Sequence, residues 1–235
     1  MKSRIIHLSL LLILGMAFCL PTSAQQPTDS LIKRVKAKLS MVSDYQGEGT
    51  MKTDVSFLKV PESKVTVWYK RPDKFKIKRE NGIAIVPKGG VNINLGALFE
   101  GDNYTAVPAG KGNVNGIPVS IIKLVPLDEK NEMVVSTLYI NEKEALVQKA
   151  SVTTRDNGTY ELEMNYGKYA NWGLPDKVIF IFTTKDYKLP KGLAFDYDTG
   201  DKPEAKNTNA TQKGKLEITY ASYTINKGLN DNFFR

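Results

Sequence analysis

For most of its length the chain alternates apolar with polar residues in short runs, with turn-formers between the runs. Met51, Val55 and Phe57 alternate with Lys52, Asp54 and Ser56; Val65, Val67 and Tyr69 with Lys64, Thr66 and Lys70; Phe75 and Ile77 with Lys74, Lys76 and Lys78. Further runs of this kind occupy 82–86, 118–125, 133–140, 146–154, 159–166, 177–184 and 215–225. A period of two is that of a strand with one face toward a core and the other toward water. The separators Glu80-Asn81-Gly82, Asn141-Glu142-Lys143, Asp156-Asn157-Gly158 and Asn171-Trp172-Gly173 are turn-forming. About ten strands with short connections predict a mainly β protein, one antiparallel meander with a wet face.

Residues 28–43 keep a different period. Leu31, Ile32, Val35, Leu39 and Val42 recur at helical spacing, with Lys33, Arg34, Lys36 and Lys38 elsewhere, so one amphipathic helix is expected. Thr28 or Asp29 would cap it by accepting from free backbone N–H groups. Two stretches lack any rhythm. Residues 87–117 are rich in Gly and Asn yet carry Leu95, Leu98 and Phe99, the composition of a functional loop or lid. Residues 196–214 are polar and read as a flexible excursion.

The strand parity raises a packing question. Val178, Phe180 and Phe182 point one way, Ile179 and Ile181 the other. One helix cannot cover ten strands, and bare apolar strand faces are a liability. Either the sheet closes on itself or it shelters an apolar guest. The face of Val65, Val67, Tyr69, Phe75 and Ile77 would then line an apolar cavity with Phe99, Leu162, Met164, Phe180 and Phe182. Arg71 joins that face if Pro72 leaves the register unshifted.

The first 24 residues narrow the chemistry. Lys2 and Arg4 precede an apolar core at Leu8–Leu14, and Thr22-Ser23-Ala24 is a small-residue cleavage site, the pattern of a secretory signal peptide cut after Ala24. The apolar run is shorter than the roughly 20 residues that span a bilayer. Phe18 stands before Cys19, where a lipoprotein signal wants a small residue. The only histidine, His7, and the only cysteine, Cys19, would leave with the signal. A chain beginning at Gln25 then has no imidazole or thiol for nucleophilic catalysis, zinc or disulfides. It is read as a single domain over 25–235, not an enzyme, with neither cofactor nor metal site.

Charge adds little. The chain carries 33 basic against 25 acidic residues, but the lysines are spread along strands, as on a solvated sheet face. No basic-aromatic motif points to nucleic acid. Asp198-Thr199-Gly200 spells the aspartic-protease triplet, but Asp201 follows where a small residue belongs, and the surroundings are polar loop. Asp196, Asp198 and Asp201 lack the twelfth-position glutamate of a calcium loop. No pair of carboxylates falls on an inward strand face, as an envelope hydrolase would require.

The segment Trp68-Tyr69-Lys70-Arg71-Pro72-Asp73-Lys74-Phe75 resembles the Trp-x-Lys-Arg-Pro-x-x-Phe segment of the LolA family, the outer-membrane lipoprotein carriers. The order of elements agrees over roughly 28–185, and 186–235 resembles the longer, divergent tail of some LolA-like chains. The resemblance implies a half-open antiparallel β-barrel around an apolar cavity, lidded by helices and loops. It implies a periplasmic carrier of lipoprotein acyl chains, working as a monomer between an inner-membrane lipoprotein-release transporter and an outer-membrane acceptor. It gives Arg71 the role of a latch bonding lid backbone, and puts Phe75 near the cavity mouth. A sensor domain on the same fold, holding a partner through 186–235, is the alternative.

Overall fold

The computed structural model describes residues 25–55, 58–72, 74–80, 95–99, 103–156, 158–183 and 213–234. The signal-peptide segment, the 82–86 run, the triplet at Asp198 and residues 196–212 of the expected excursion lie outside these, and its last two residues, Lys213 and Gly214, are not loop but the start of the final strand. Helix α1 spans Gln25–Ser40 and is followed by strands β1 (Asp44–Val55), β2 (Leu58–Lys70) and β3 (Lys74–Arg79). A one-turn 3-10 helix at Leu95–Phe99 precedes β4 (Tyr104–Val114), β5 (Ile117–Pro126), β6 (Met133–Asn141), β7 (Leu146–Thr154), β8 (Thr159–Asn165) and β9 (Lys177–Thr183). Strand β10 (Lys213–Ile225) and a short turn of helix at Asp231–Phe234 complete the described chain.

The ten strands form one open antiparallel sheet in the order β3-β2-β1-β10-β9-β8-β7-β6-β5-β4. It is a meander with one departure: β10 enters between β1 and β9. The strand from the C-terminal segment is thus the joint between the first three strands and the rest. Its own pattern suits that position. Leu216, Ile218 and Tyr220 are buried on the inner face, while Lys215 and Glu217 look outward. Outside, Lys177 and Lys215 bind Glu217 at 2.8 and 3.3 Å, and Lys149 binds Glu161 and Glu163 at 3.0 and 3.6 Å.

The inner face carries the core. Leu138, Ile140, Ala150, Leu162 and Phe180 from the middle strands are sealed from water, and Leu31, Ile32 and Val35 of α1 are buried in the same cluster. At ~25 cal/mol per Å² of apolar surface, such packing is the main force holding the helix against the sheet.

Two expectations need correcting. The helix begins at Gln25, so Thr28 lies within its first turns, buried rather than capping. The 87–117 stretch is not all loop. Its second half is β4, which pairs with β5 along Tyr104–Val114. Pro108, Gly110 and Gly112 hide the strand from a pattern search, and they are tolerated because β4 is an edge strand with a register shift between Pro108 and Lys111. The other edge, β3, turns a charge inward. Arg79 is buried opposite Val65 and donates from Nη2 to the Pro61 carbonyl at 3.0 Å and to Ser63 Oγ. An inward charge protects an edge from pairing with another chain.

Candidate functional site

The inner face is not filled evenly. Under the C-terminal half of α1 a cleft of about 380 Å³ remains between helix and sheet. Leu39 and Ser40 of the helix, and Leu95 and Phe99 of the 3-10 turn, form one wall. Tyr45, Tyr69, Tyr220 and Tyr223 form the floor. The β8–β9 connection supplies Trp172, Gly173, Leu174 and Pro175, and the β2–β3 turn supplies Arg71 and Pro72.

The tyrosine floor depends on two backbone features. Pairing of β1 with β10 shifts register between Glu48 and Gly49, where Gly49 faces Tyr220 and Glu48 faces Ser222. Ala221 is the extra residue. A bulge re-aims the following side chains, so Tyr220 and Tyr223 both face inward although strict alternation would separate them. Gly47 makes room for them: a Cβ there would stand 2.9 Å from the Tyr220 ring and 3.1 Å from that of Tyr223. Tyr223 stacks on Tyr220 with centroids 4.6 Å apart and meets Tyr45 and Tyr169 edge-on at 5.3 and 4.9 Å. Its hydroxyl donates to the Pro175 carbonyl at 2.7 Å. Burial pushes the phenols of Tyr45, Tyr220 and Tyr223 well up, so they stay neutral. The floor is aromatic and uncharged.

Helix α1 is tied across this hollow by polar contacts at its exposed side. Arg71 Nη1 donates to the Ser40 carbonyl at 3.3 Å, and Arg71 N to the Ser43 carbonyl at 2.9 Å. Toward the other end, Arg34 Nη2 donates to the Glu142 carbonyl in the β6–β7 turn and to Lys143 O at 3.5 Å. The Arg71 guanidinium sits at the helix C-terminus, where a cation also complements the macrodipole. The hinge between α1 and β1 is held from the far end of the chain. Asn226 accepts at Oδ1 from Ser43 N and donates from Nδ2 to Met41 O, both at 2.8 Å. Asp44, buried, accepts from Lys227 N and Gly228 N at 3.0 and 3.1 Å. The tail then lies on the outside of β2 and β3, with Asp231 2.8 Å from both Lys70 and Lys74 and Phe233 stacked on Trp68 at 6.3 Å.

The residues singled out from the sequence separate into three groups. Tyr69, Phe99, Met164 and Arg71 line the cleft. Val65, Val67, Ile77, Leu162 and Phe180 are buried in the core beyond it, and Phe75 and Phe182 are partly buried against that core. Phe75 pairs with Tyr69 across β2–β3, one position from the cleft. Sequence reasoning missed Arg34, which it placed on the solvated side of the helix, and Tyr223, whose facing is set by the bulge. It also missed Asn226 and Asp44. The sole signal for these two is Asn-Lys-Gly following a strand, a turn sequence with no address.

Among the described residues no three His, Cys, Asp or Glu side chains gather where they could hold a metal ion. No helix among them is long and apolar enough to cross a membrane.

No protein-family profile and no curated sequence matches the chain. Solved structures do. An outer-membrane lipoprotein-sorting protein domain from Vibrio parahaemolyticus superposes with a TM-score of 0.54 at 12% identity, covering 89% of this chain and 97% of that one. A LolA superfamily protein from Nitrosomonas europaea gives 0.55 at 9% identity, covering 88% and 97%. A DUF1329 family protein from Desulfovibrio piger gives 0.50 at 12% identity, covering 89% and 97%. At such identities the likeness is one of architecture, and with the open sheet, the helix across its hollow face and the Lys-Arg-Pro turn it identifies the fold of this protein as LolA-like.

Proposed function

We propose that the protein is a periplasmic carrier, exported with its signal removed after Ala24, that shelters the acyl chains of lipidated proteins. It would take them from an inner-membrane release transporter and yield them to an outer-membrane acceptor. No bond-breaking step is assigned to it. The observation that carries this reading is the aromatic cleft beneath a helix tied to the sheet by a few surface-accessible hydrogen bonds. Each buried methylene is worth ~0.8 kcal/mol, so acyl chains cross water only inside such a shelter. The contacts closing it must also be weak enough to exchange. The lipoprotein-sorting description of the Vibrio domain agrees with this cargo. A sensor would hold a partner through its tail. Here residues 213–234 are already occupied within the sheet and against β2 and β3, which favours the carrier.

Arg71 is the place to test it. Its side chain is exposed and makes one long bond among the described residues, so Arg71→Leu should weaken closure by about 0.5–1.5 kcal/mol, the net value of a single hydrogen bond. The variant should take up a fluorescent lipopeptide faster and pass it to acceptor vesicles more slowly, and Arg71→Lys should recover part of the difference. Identical uptake and transfer by all three proteins would remove the latch. A lipopeptide that stays in the donor vesicles with wild-type protein would remove the carrier.

A further inference from the structure

The charge around the cleft is one-sided. Lys36 and Arg71 line it, the Lys36 ammonium lying 5.9 Å over the Tyr104 ring, and the stem of Lys38 packs over Gly173 at its rim, with Lys38 Cγ 3.0 Å from where a Cβ of Gly173 would stand. Among the described residues no carboxylate lines it. Of the described acids next to a lining residue in the chain, Asp44 has its oxygens turned to the backbone N–H groups of Lys227 and Gly228, and Asp176 accepts from Lys168 N at 3.1 Å through Oδ2 and keeps its other oxygen buried. The floor is neutral, as its buried phenols hold their protons. Beyond the tie that Arg71 makes to the helix end, wholly neutral chains offer cations at the opening no counter-charge.

Arg71 is also under-used. A guanidinium has five N–H donors in a planar fork, and among the described residues this one donates to a single carbonyl at 3.3 Å. A carboxylate takes such a fork through two parallel, charge-assisted bonds, each about twice as strong as a bond to a neutral acceptor. A ligand bearing that group would outcompete the Ser40 carbonyl. It would free the helix end in the act of binding.

Resting on the reading that the cleft admits an acyl chain, we propose that, besides the chains of lipidated proteins, it takes a single-chain amphiphile ending in a carboxylate in preference to the same chain with a neutral end, with the chain over the tyrosine floor, the head on Arg71, and Lys36 adding positive charge to the lining. The volume, about 380 Å³, is that of a small-ligand site and suits one chain. Arg71 is then both the tie on the closed helix and the receptor for the head that unties it.

The test compares cis-parinaric acid with its methyl ester, two fluorescent probes of the same chain that differ in head charge. Both are titrated at pH 8 in low salt into wild type, Arg71→Leu and Lys36→Met. Wild type should bind the acid at least tenfold more tightly than the ester. Arg71→Leu should reduce that ratio to threefold or less, and Lys36→Met should reduce it by a smaller factor. The ratio is the readout because a loosened helix changes access for both probes alike. Equal affinities for acid and ester in wild type, or an acid preference intact in Arg71→Leu, would overturn the proposal while leaving the carrier standing. Failure of both probes to bind wild type would overturn the carrier reading and this proposal with it.

Discussion

The inner face of the sheet has two halves built on the same alternation. Over β6 to β9, Leu138, Leu162 and Phe180 interlock with no exposure, and Tyr160 leans on Phe180 at 5.4 Å. At the ends of β1, β2 and β10, four inward tyrosines and an inward glycine leave a hollow that the helix bridges. Aliphatic chains of matched volume pack to near-crystalline density. Rigid rings stacked on one another cannot adjust in the same way, and Gly47 contributes no volume at all. The outside differs in parallel. The filled half wears a lattice of Lys–Glu pairs, whereas the hollow end is braced by the chain's own tail through Asp231 and Phe233.

The largest expected effect lies in the filled half. Phe180→Ala should cost ~3–5 kcal/mol, because neighbours without exposure collapse little into the space left. Urea denaturation measures it, and a loss below 1 kcal/mol would mean that this half is as loosely packed as the mouth. A smaller effect is expected at the hollow end from Tyr223→Phe, which keeps the stacked ring and removes the bond to Pro175. It should cost about 0.5–1.5 kcal/mol and leave the unfolding transition cooperative. A loss as large as that of Phe180→Ala would erase the distinction between the halves.

The smallest effect is at the tail. Hydrogen bonds from Lys70 and Lys74 hold the Asp231 carboxyl down to about 2, below its ordinary 3.8. A depressed acid contributes stability above its unfolded value and loses it as pH falls through its folded one. Wild type should therefore lose a tail contribution between about pH 4 and pH 2 that Asp231→Asn never has. Acid titrations of both, followed by Trp68 fluorescence, should differ only in that window, and less so in high salt. Superimposable curves would show that the Asp231 carboxylate adds nothing to the brace made by Phe233 and by the Lys70 bond to the Leu229 carbonyl at 2.8 Å.

Much of this arrangement is local chemistry and follows from the sequence alone. The period of two places Val65, Val67, Tyr69 and Ile77 on one buried face, as it does Leu162, Met164 and Phe180, because Cβ atoms of a strand alternate whatever its partner. The helical stripe of Leu31, Ile32 and Val35 needs no more than its own spacing, and the Lys-Arg-Pro turn marks where β2 ends. What tertiary structure decided is non-local. No residue within β10 says that it pairs with β1 on one side and β9 on the other, since hydrogen-bonding edges carry no sequence label. The bulge that turns Tyr223 inward exists only in that pairing, and β4 overcomes its proline and glycines only because β5 supplies a partner. Alternation tells which side chains face inward. Whether they meet and fill the space or stand apart and leave a cleft depends on the volumes brought opposite them, and those come from distant parts of the chain.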